Sequence, residues 1–411
     1  MSYVVSETAV SPISTPAARS ERLASVDIVR GLVMVIMAID HTRDFFMNMP
    51  FEPENIAHTW PAFFFTRWIT HFCAPMFFFL AGTGAFLYRD RKGSIGKVSR
   101  FLWTRGLWLI VLEWTVIEFA WTFVPWQFGG VIWSLGCSMV ILAALVWLPE
   151  WAILLFGATL VGLHDLFDAV KPAHFGSYGW LWTLVHRRGM IPQFHFFVLF
   201  PLVPWVGVMA AGYAFGRLLL RDPERRQRAV FALGAVLTLG FIVLRGLNAY
   251  GNPPAGVAAS SPGAWHALPS LGMTIVYFLD VEKYPPSLQF LLMTIGPSLL
   301  LLAALDRFGA NTTLKKLAKP LLIFGRVPLF FYILHLYVIH LLAIALAYAT
   351  RQPVAWLWHG SFWMNQIPDG YGHGLGVMYA MWFLAVLILY APCLWFYRLK
   401  SRRKDWWLSY F

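Results

Sequence analysis

The sequence predicts an all-α membrane protein of about ten transmembrane helices with both termini in the cytoplasm. Three observations predict it. Of 411 residues, 59% are hydrophobic and only 13% are charged, and mean hydropathy is +0.61; a soluble domain carries about 25% charged residues. The apolar residues fall in solid runs of about twenty, the length that crosses a bilayer, not in the alternating segments of a β-barrel. Aromatic residues make up 17%, with 21 Trp, which suits anchoring at membrane interfaces. A soluble enzyme, a disordered chain, a coiled coil and an outer-membrane barrel are excluded.

Taken in order, residues 1–25 are polar, rich in Ser and Ala, and lack the apolar core of a signal peptide. They read as a disordered cytoplasmic tail. Ten apolar runs follow at 28–47, 62–88, 102–124, 131–148, 151–163, 194–219, 229–247, 287–305, 321–349 and 375–397. They make one transmembrane domain over 26–400, and 401–411 is a basic, aromatic cytoplasmic tail. The fifth run is short for a span and is expected to extend into 164–170 or to tilt. Charge tests the layout. With the N-terminus inside, 22 of the 32 Lys and Arg lie on cytoplasmic segments, whereas the external loops hold Lys171, Arg187, Arg188, Lys283 and Arg351. That bias puts both ends inside and fits an even number of spans. It also accounts for the net charge of +12 without nucleic acid as a partner. The largest external loops, 164–193 and 248–286, are expected to form a lid. No internal repeat is visible.

Charged side chains are costly within a bilayer, so the ionisable residues of the spans are the candidates for function. Arg30 and His41 are eleven positions apart in the first span, about 20° past three full turns, and so share a face with about 16 Å between them. Asp27, Met34, Met37 and Asp44 lie near the same stripe. Asp40 or Asp44 is expected to orient His41, giving it the makings of a general base; the bland alternative is a polar helix end that reaches water. Arg67 and His71, at i,i+4, should face a polar cavity. Glu113 and Glu118, five positions apart, are expected to face different partners, with one of them pairing with Arg67. Tyr332 and His335 share a face near mid-membrane. His58 stands in a short external loop, where a lone histidine is more often incidental. The small run Ala81–Ala85 reads as helix packing.

Other patterns carry less. Cys73, Cys137 and Cys393 are far apart, with no CxxC spacing, so neither a disulfide framework nor a metal site is expected. Gly93-Ser-Ile-Gly96-Lys97 is too short between its glycines for a phosphate loop. Asn311-Thr-Thr313 has the glycosylation pattern but falls on the cytoplasmic side. The basic loops could bind the phosphates of an acyl-CoA, although inside-positive bias explains them without a ligand.

The stretch Arg22-Leu-Ala-Ser-Val-Asp27-Ile-Val-Arg30-Gly31, with Asp40-His41 ten residues on, resembles the opening of the transmembrane acyltransferase superfamily. The spacing of Arg30 and His41 resembles the signature of its sugar O-acyltransferases. The closer resemblance is to bacterial relatives of heparan-α-glucosaminide N-acetyltransferase. His58-Thr-Trp60, Pro75-Met-Phe-Phe-Phe-Leu-Ala-Gly82, Lys283-Tyr-Pro-Pro-Ser287 and Phe324-Gly-Arg-Val-Pro-Leu-Phe-Phe-Tyr-Ile-Leu-His335 are similar to segments of that family. The likeness runs over about 25–400 and is densest in the first two spans. It implies that His58 matches the loop histidine proposed as catalytic in the heparan enzyme and His41 the histidine of the O-acyltransferase motif. Asp40 stands where the heparan enzyme has Asn, and His71 where it has Asp, which leaves the base, and amine against hydroxyl as acceptor, open.

The resemblance implies transfer of an acyl group, acetyl above all, from cytoplasmic acetyl-CoA to a sugar of an envelope glycan outside the inner membrane. On that reading Asp27, Arg30, Arg67, Arg326 and Tyr332 bind the donor. Asp40, His41, His58, His71 and His335 form the catalytic set, with Arg67, Tyr332 or a protonated His335 at the oxyanion, and no metal takes part. The rival is a proton-coupled or solute permease, which buried His, Arg and Glu suit equally; the lack of inverted repeats speaks against it. Acceptor and oligomeric state, a homodimer included, stay open.

Overall fold

The first apolar run lies inside a longer helix, α1 (Pro16–Phe46), which reaches back into the segment expected as tail. The computed structural model describes residues 16–124, 127–257, 261–308, 316–359, 367–403 and 405–411. Residues 1–15 and the Asn311–Thr313 pattern lie outside the described residues.

Proline breaks the second run. α2 (Pro61–Trp68) passes through a 3-10 turn, Ile69–Phe72, into α3 (Cys73–Lys92). Pro75 has no N–H to return to the preceding turn, and the tight turn sits just before it. Gly93, at φ 62°, ends α3, and the Ser94 hydroxyl accepts the Lys97 N–H at the start of α4 (Ile95–Leu112). The stretch that resembled a short phosphate loop is therefore a helix stop followed by a helix cap. α4 continues through a π-helical turn, Glu113–Ile117, into α5 (Glu118–Thr122).

α6 (Val131–Leu145) and α7 (Glu150–Leu163) follow, and a 3-10 turn, His164–Phe167, extends α7 as expected. α8 (Gly179–Val185) lies in the first long loop. The expected helix from 194 begins later. Phe196–Val198 forms strand β3, parallel to β1 (Phe128–Gly129) and antiparallel to β2 (Gly189–Ile191), with Phe197 opposite both Phe128 and Met190. Phe and Val favour strands, and Pro fits a helix best at its start, so α9 (Leu202–Phe215) starts after Pro201.

α10 (Pro223–Gly246), α11 (Leu271–Leu279) and α12 (Leu288–Phe308) come next. The ninth run is split into α13 (Lys319–Arg326) and α14 (Pro328–Ala349). Pro328 drives the residue before it out of helical geometry, and Val327 sits at φ −129°, ψ 49°. A short α15 (Ala355–His359) and the long α16 (Leu375–Arg402) complete the chain.

Among the described residues, seven helices are long and apolar enough to cross a membrane. The other three expected spans coincide with α1, with α4 to α5, and with α6. The protein is an all-α polytopic membrane protein. α1 runs through its middle, against α3, α12, α13, α14 and α16. Gly31 and Gly325 let α1 and α13 touch backbone to backbone: a Cβ on Gly31 would lie 1.8 Å from the Leu321 carbonyl oxygen, and one on Gly325 would lie 1.8 Å from that of Asp27. This contact brings Arg30 beside Arg326.

Candidate active site

A cavity of 390 Å³ lies beside the Gly31–Gly325 crossing, in the size range of small-molecule sites. Arg30, Arg91, Arg105, Arg326 and Lys400 line it, and none of the described residues on its wall is acidic. Arg30 donates to Asp27 at 3.0 Å and to the Gly325 carbonyl at 3.1 Å. Arg326 donates to Asp27 at 3.2 Å and to the Tyr397 hydroxyl at 2.8 Å. Asp27 thus aims two guanidiniums from outside the cavity wall. The small run of α3 has two duties where the sequence showed one. Gly82 packs on α9, where a Cβ would meet the Met209 oxygen at 2.0 Å. Ala81, Gly84 and Ala85 form part of the cavity wall.

Phe77 and Tyr332 also line a second, inner cavity of 80 Å³, together with Asp40, His41, Arg67, Glu113, Glu118 and Trp121. Here His41 meets His335. Nδ1 of His41 lies 2.6 Å from Nε2 of His335, and the rings stack at 4.8 Å and 25°. Nδ1 of His335 lies 3.2 Å from the Phe331 carbonyl, one helical turn back. A carbonyl only accepts, so Nδ1 of His335 carries the proton and its Nε2 is an acceptor. The proton between the rings then belongs to Nδ1 of His41, which leaves Nε2 of His41 with a free lone pair. Trp121 sets the other edge of His41, ring centres 4.9 Å apart. The orienting partner is therefore an imidazole held by a backbone carbonyl, not the carboxylate expected from Asp40 or Asp44.

Those carboxylates are turned elsewhere. Asp40 pairs with Arg43 at 2.6 Å and with Arg67, and Asp44 pairs with Arg43 at 2.7 Å. Arg67 also holds Glu54 at 2.8 Å and donates to the Tyr284 hydroxyl at 3.3 Å. The expected partner among Glu113 and Glu118 is thus replaced by Asp40 and Glu54. His71 is buried, 3.4 Å from Glu54, against Phe290; it supports this ion network and does not line the three cavities described here. Burial works to raise the Glu54 carboxyl, but Arg67 and His71 hold it below the ordinary carboxylate range. A third cavity of 60 Å³ shares Asp44, Arg67, Lys283 and Tyr284 with the inner one. Glu54 stands in no pattern of the sequence, and Lys283 and Tyr284 stand in the family-like segment 283–287 with no site role expected of them. The signal for Glu54 was a loop with two acids, Glu52 and Glu54, and no Lys or Arg, just ahead of Arg67.

Glu113 and Glu118 both line the inner cavity, against the expectation of divergent faces. The cause is the π turn. The Glu118 N–H donates to the Glu113 carbonyl, an i→i+5 bond that stacks one residue above the other. The Glu113 carboxylate lies against Gly130, at the N-terminus of α6. Gly130 is needed there, since a Cβ would lie 1.9 Å from the Glu113 carboxylate. His58 is exposed in the loop before α2, packed on Phe51 with ring centres 5.4 Å apart, and lines none of the three cavities.

Residues 22–250 match the family described as heparan-alpha-glucosaminide N-acetyltransferase, catalytic. The match contains Asp27, Arg30, Asp40, His41, His58, Arg67 and His71; Arg326, Tyr332 and His335 lie beyond it. No curated protein matches the chain. With more than half of its length matched, this multi-pass membrane protein belongs to the heparan-α-glucosaminide N-acetyltransferase catalytic family, a family of membrane acetyltransferases.

Proposed function

We propose that the protein transfers an acetyl group from acetyl-CoA, held in the basic cavity, to a sugar hydroxyl or amine that enters from the opposite side of an inner membrane. The observation that carries this reading is the place of the His41–His335 pair, beside a wall shared by a large cationic cavity and a small polar one. Five cations suit the phosphates of coenzyme A, charged groups that arginine binds well. The pantetheine arm then covers the roughly 16 Å along α1 from Arg30 to His41.

Nε2 of His41 takes the proton of the attacking hydroxyl or amine as its oxygen or nitrogen bonds to the thioester carbon. The C–S bond breaks, and the proton passes from His41 to the coenzyme A thiolate. His335 keeps His41 in the basic tautomer and steadies its positive charge. Tyr332 and Arg67 stand beside the inner cavity as donors for the oxyanion. Asp27 aims Arg30 and Arg326, Asp40 and Glu54 hold Arg67, and His71 backs Glu54. Trp121, Phe200 and Tyr284, with Asp and Glu side chains between them, suit the apolar faces and hydroxyls of a sugar. This route assigns the base to His41 and leaves His58 outside it.

Radiolabelled acetyl transfer by the purified protein to a glucosamine-terminated glycan tests the reading. His41→Gln should lower kcat by about 10²–10⁴, the usual worth of a general base. Arg326→Gln should raise KM for acetyl-CoA by about tenfold, the loss of one charge-assisted hydrogen bond, with little change in kcat. Sugar counterflow in liposomes with no acetylated product would establish the permease instead.

A further inference from the structure

We propose that His164, Asp168 and His186 form a binding site for a zinc-type divalent cation in the long loop after α7. The proposal does not rest on acyl transfer. One ligand atom from each of the three side chains lies within 4.8 Å of the others, and the residues are only 3%, 6% and 1% exposed. Buried polar atoms nearly always have hydrogen-bond partners. Here both ring nitrogens of His164, Nδ1 of His186 and Oδ2 of Asp168 have none. A hydrogen-bonded His–Asp–His core does not explain them, because the closest approach of His186 to Asp168 is 3.9 Å.

The surroundings orient both rings as ligands. A metal-binding imidazole typically gives one N–H to a carbonyl or carboxylate and offers the other nitrogen to the ion. Nε2 of His186 donates to the His164 carbonyl at 2.9 Å, and the Trp182 indole stacks on its ring at 4.8 Å and 4°. Nδ1 of His186 has no hydrogen-bond partner; the nitrogen nearest Asp168, at 3.9 Å, is Nε2. Asp165 stands 3.5 Å from Nδ1 of His164, and its other oxygen accepts the Leu288 N–H at 2.9 Å. At that distance Asp165 makes no hydrogen bond to the ring, the Pro286 carbonyl lies against it, and Nε2 of His164 has no partner either. Two imidazoles, one carboxylate and a water make a zinc donor set. Zinc bonds of about 2.0–2.2 Å put ligand atoms roughly 3.4 Å apart, so the side chains close by about 1 Å on loading.

The three cysteines had pointed away from a metal. The donors are instead a His that opens the 3-10 extension of α7, an Asp just past its end and a His just past the end of α8. The ion would stiffen a wall of the third cavity. Arg187 donates to the Asp168 carbonyl at 2.7 Å, and Arg188, next along the chain, lies over the Tyr284 ring at 5.3 Å.

Zinc chloride added to chelator-treated full-length protein in detergent, followed by gel filtration and elemental analysis, tests the site. The wild type should retain about one zinc per chain, and the double variant His164→Ala, His186→Ala should retain none. Because that variant can unfold, cobalt(II) loading of the wild type is the second readout. It should give the visible absorption of a four-coordinate nitrogen and oxygen site, bleached by zinc. A wild type that takes up neither ion, or a double variant that keeps its zinc, overturns the proposal.

Discussion

One backbone carbonyl decides which nitrogen of His41 is basic. Phe331 fixes the proton on Nδ1 of His335, and the 2.6 Å contact passes that choice to His41. A side chain at 335 that still accepts a hydrogen bond should therefore preserve part of the activity. Gln offers a carbonyl oxygen to Nδ1 of His41, whereas Leu offers nothing and leaves a buried N–H unpaired, at a cost of about 1–3 kcal/mol. His335→Gln is expected to fall between wild type and His41→Gln in kcat, and His335→Leu to lie at or below His41→Gln. Acetyl transfer at saturating acetyl-CoA measures the order; equal activity of His335→Leu and wild type would remove His335 from the mechanism. The 100° step of a helix was enough to put Arg30 and His41 on one face. It could not show that His335 meets His41, because that contact depends on the packing of α14 on α1, 294 positions away in the chain.

Helix irregularities explain the remaining differences between expectation and structure. Regular geometry separates Glu113 from Glu118, while the π turn aligns them. Deleting the exposed Thr115 should close that turn to ordinary i→i+4 bonding and still leave the two glutamates about 40° apart. Deleting the exposed Leu107 within α4 instead rotates everything before it by about 100° and pulls Gly106 from its close contact with the Gly136 carbonyl. Thermal melting in detergent should show the Thr115 deletion near wild type and the Leu107 deletion unfolded or strongly destabilised. Two equally damaged proteins would remove the π turn as the cause. The loop before α2 follows ion-pair physics. The folded Glu54 carboxyl lies below its ordinary range, so its stabilisation is complete above the unfolded value of about 4.3 and is lost as pH falls through the folded value. Glu54→Gln breaks the pair with Arg67, at about 3 kcal/mol. Its melting-temperature deficit should be constant from about pH 8 to pH 5 and shrink only in stronger acid; a deficit that grows on acidification contradicts the assignment. Pro75, Pro201 and Pro328 were legible as residues, but where each helix breaks depends on which turn carries the proline, and pattern counting leaves that open.

At the scale of the whole molecule, three cavities share walls in series: the basic one and the inner one at Phe77 and Tyr332, the inner one and the third at Asp44, Arg67, Lys283 and Tyr284. The charge bias read from the loops puts the cationic end on the side of both termini, where Arg91 and Lys400 line the first cavity. Glu52 lines the third cavity. If the series crosses the membrane, these two ends must be accessible from opposite sides. Cys73 and Cys393 are buried and Cys137 is half-buried, so replacing all three by Ala gives a background for single labels. In inside-out vesicles a membrane-impermeant maleimide should modify Arg91→Cys and not Glu52→Cys; in right-side-out vesicles the pattern should reverse. Addition of acetyl-CoA should slow the labelling of Arg91→Cys and leave Glu52→Cys unaffected, because the donor fills the cavity around position 91 alone. Labelling of both positions from one side would place the two cavities on the same face, and a route from a donor on one side to an acceptor on the other would then have no structural support.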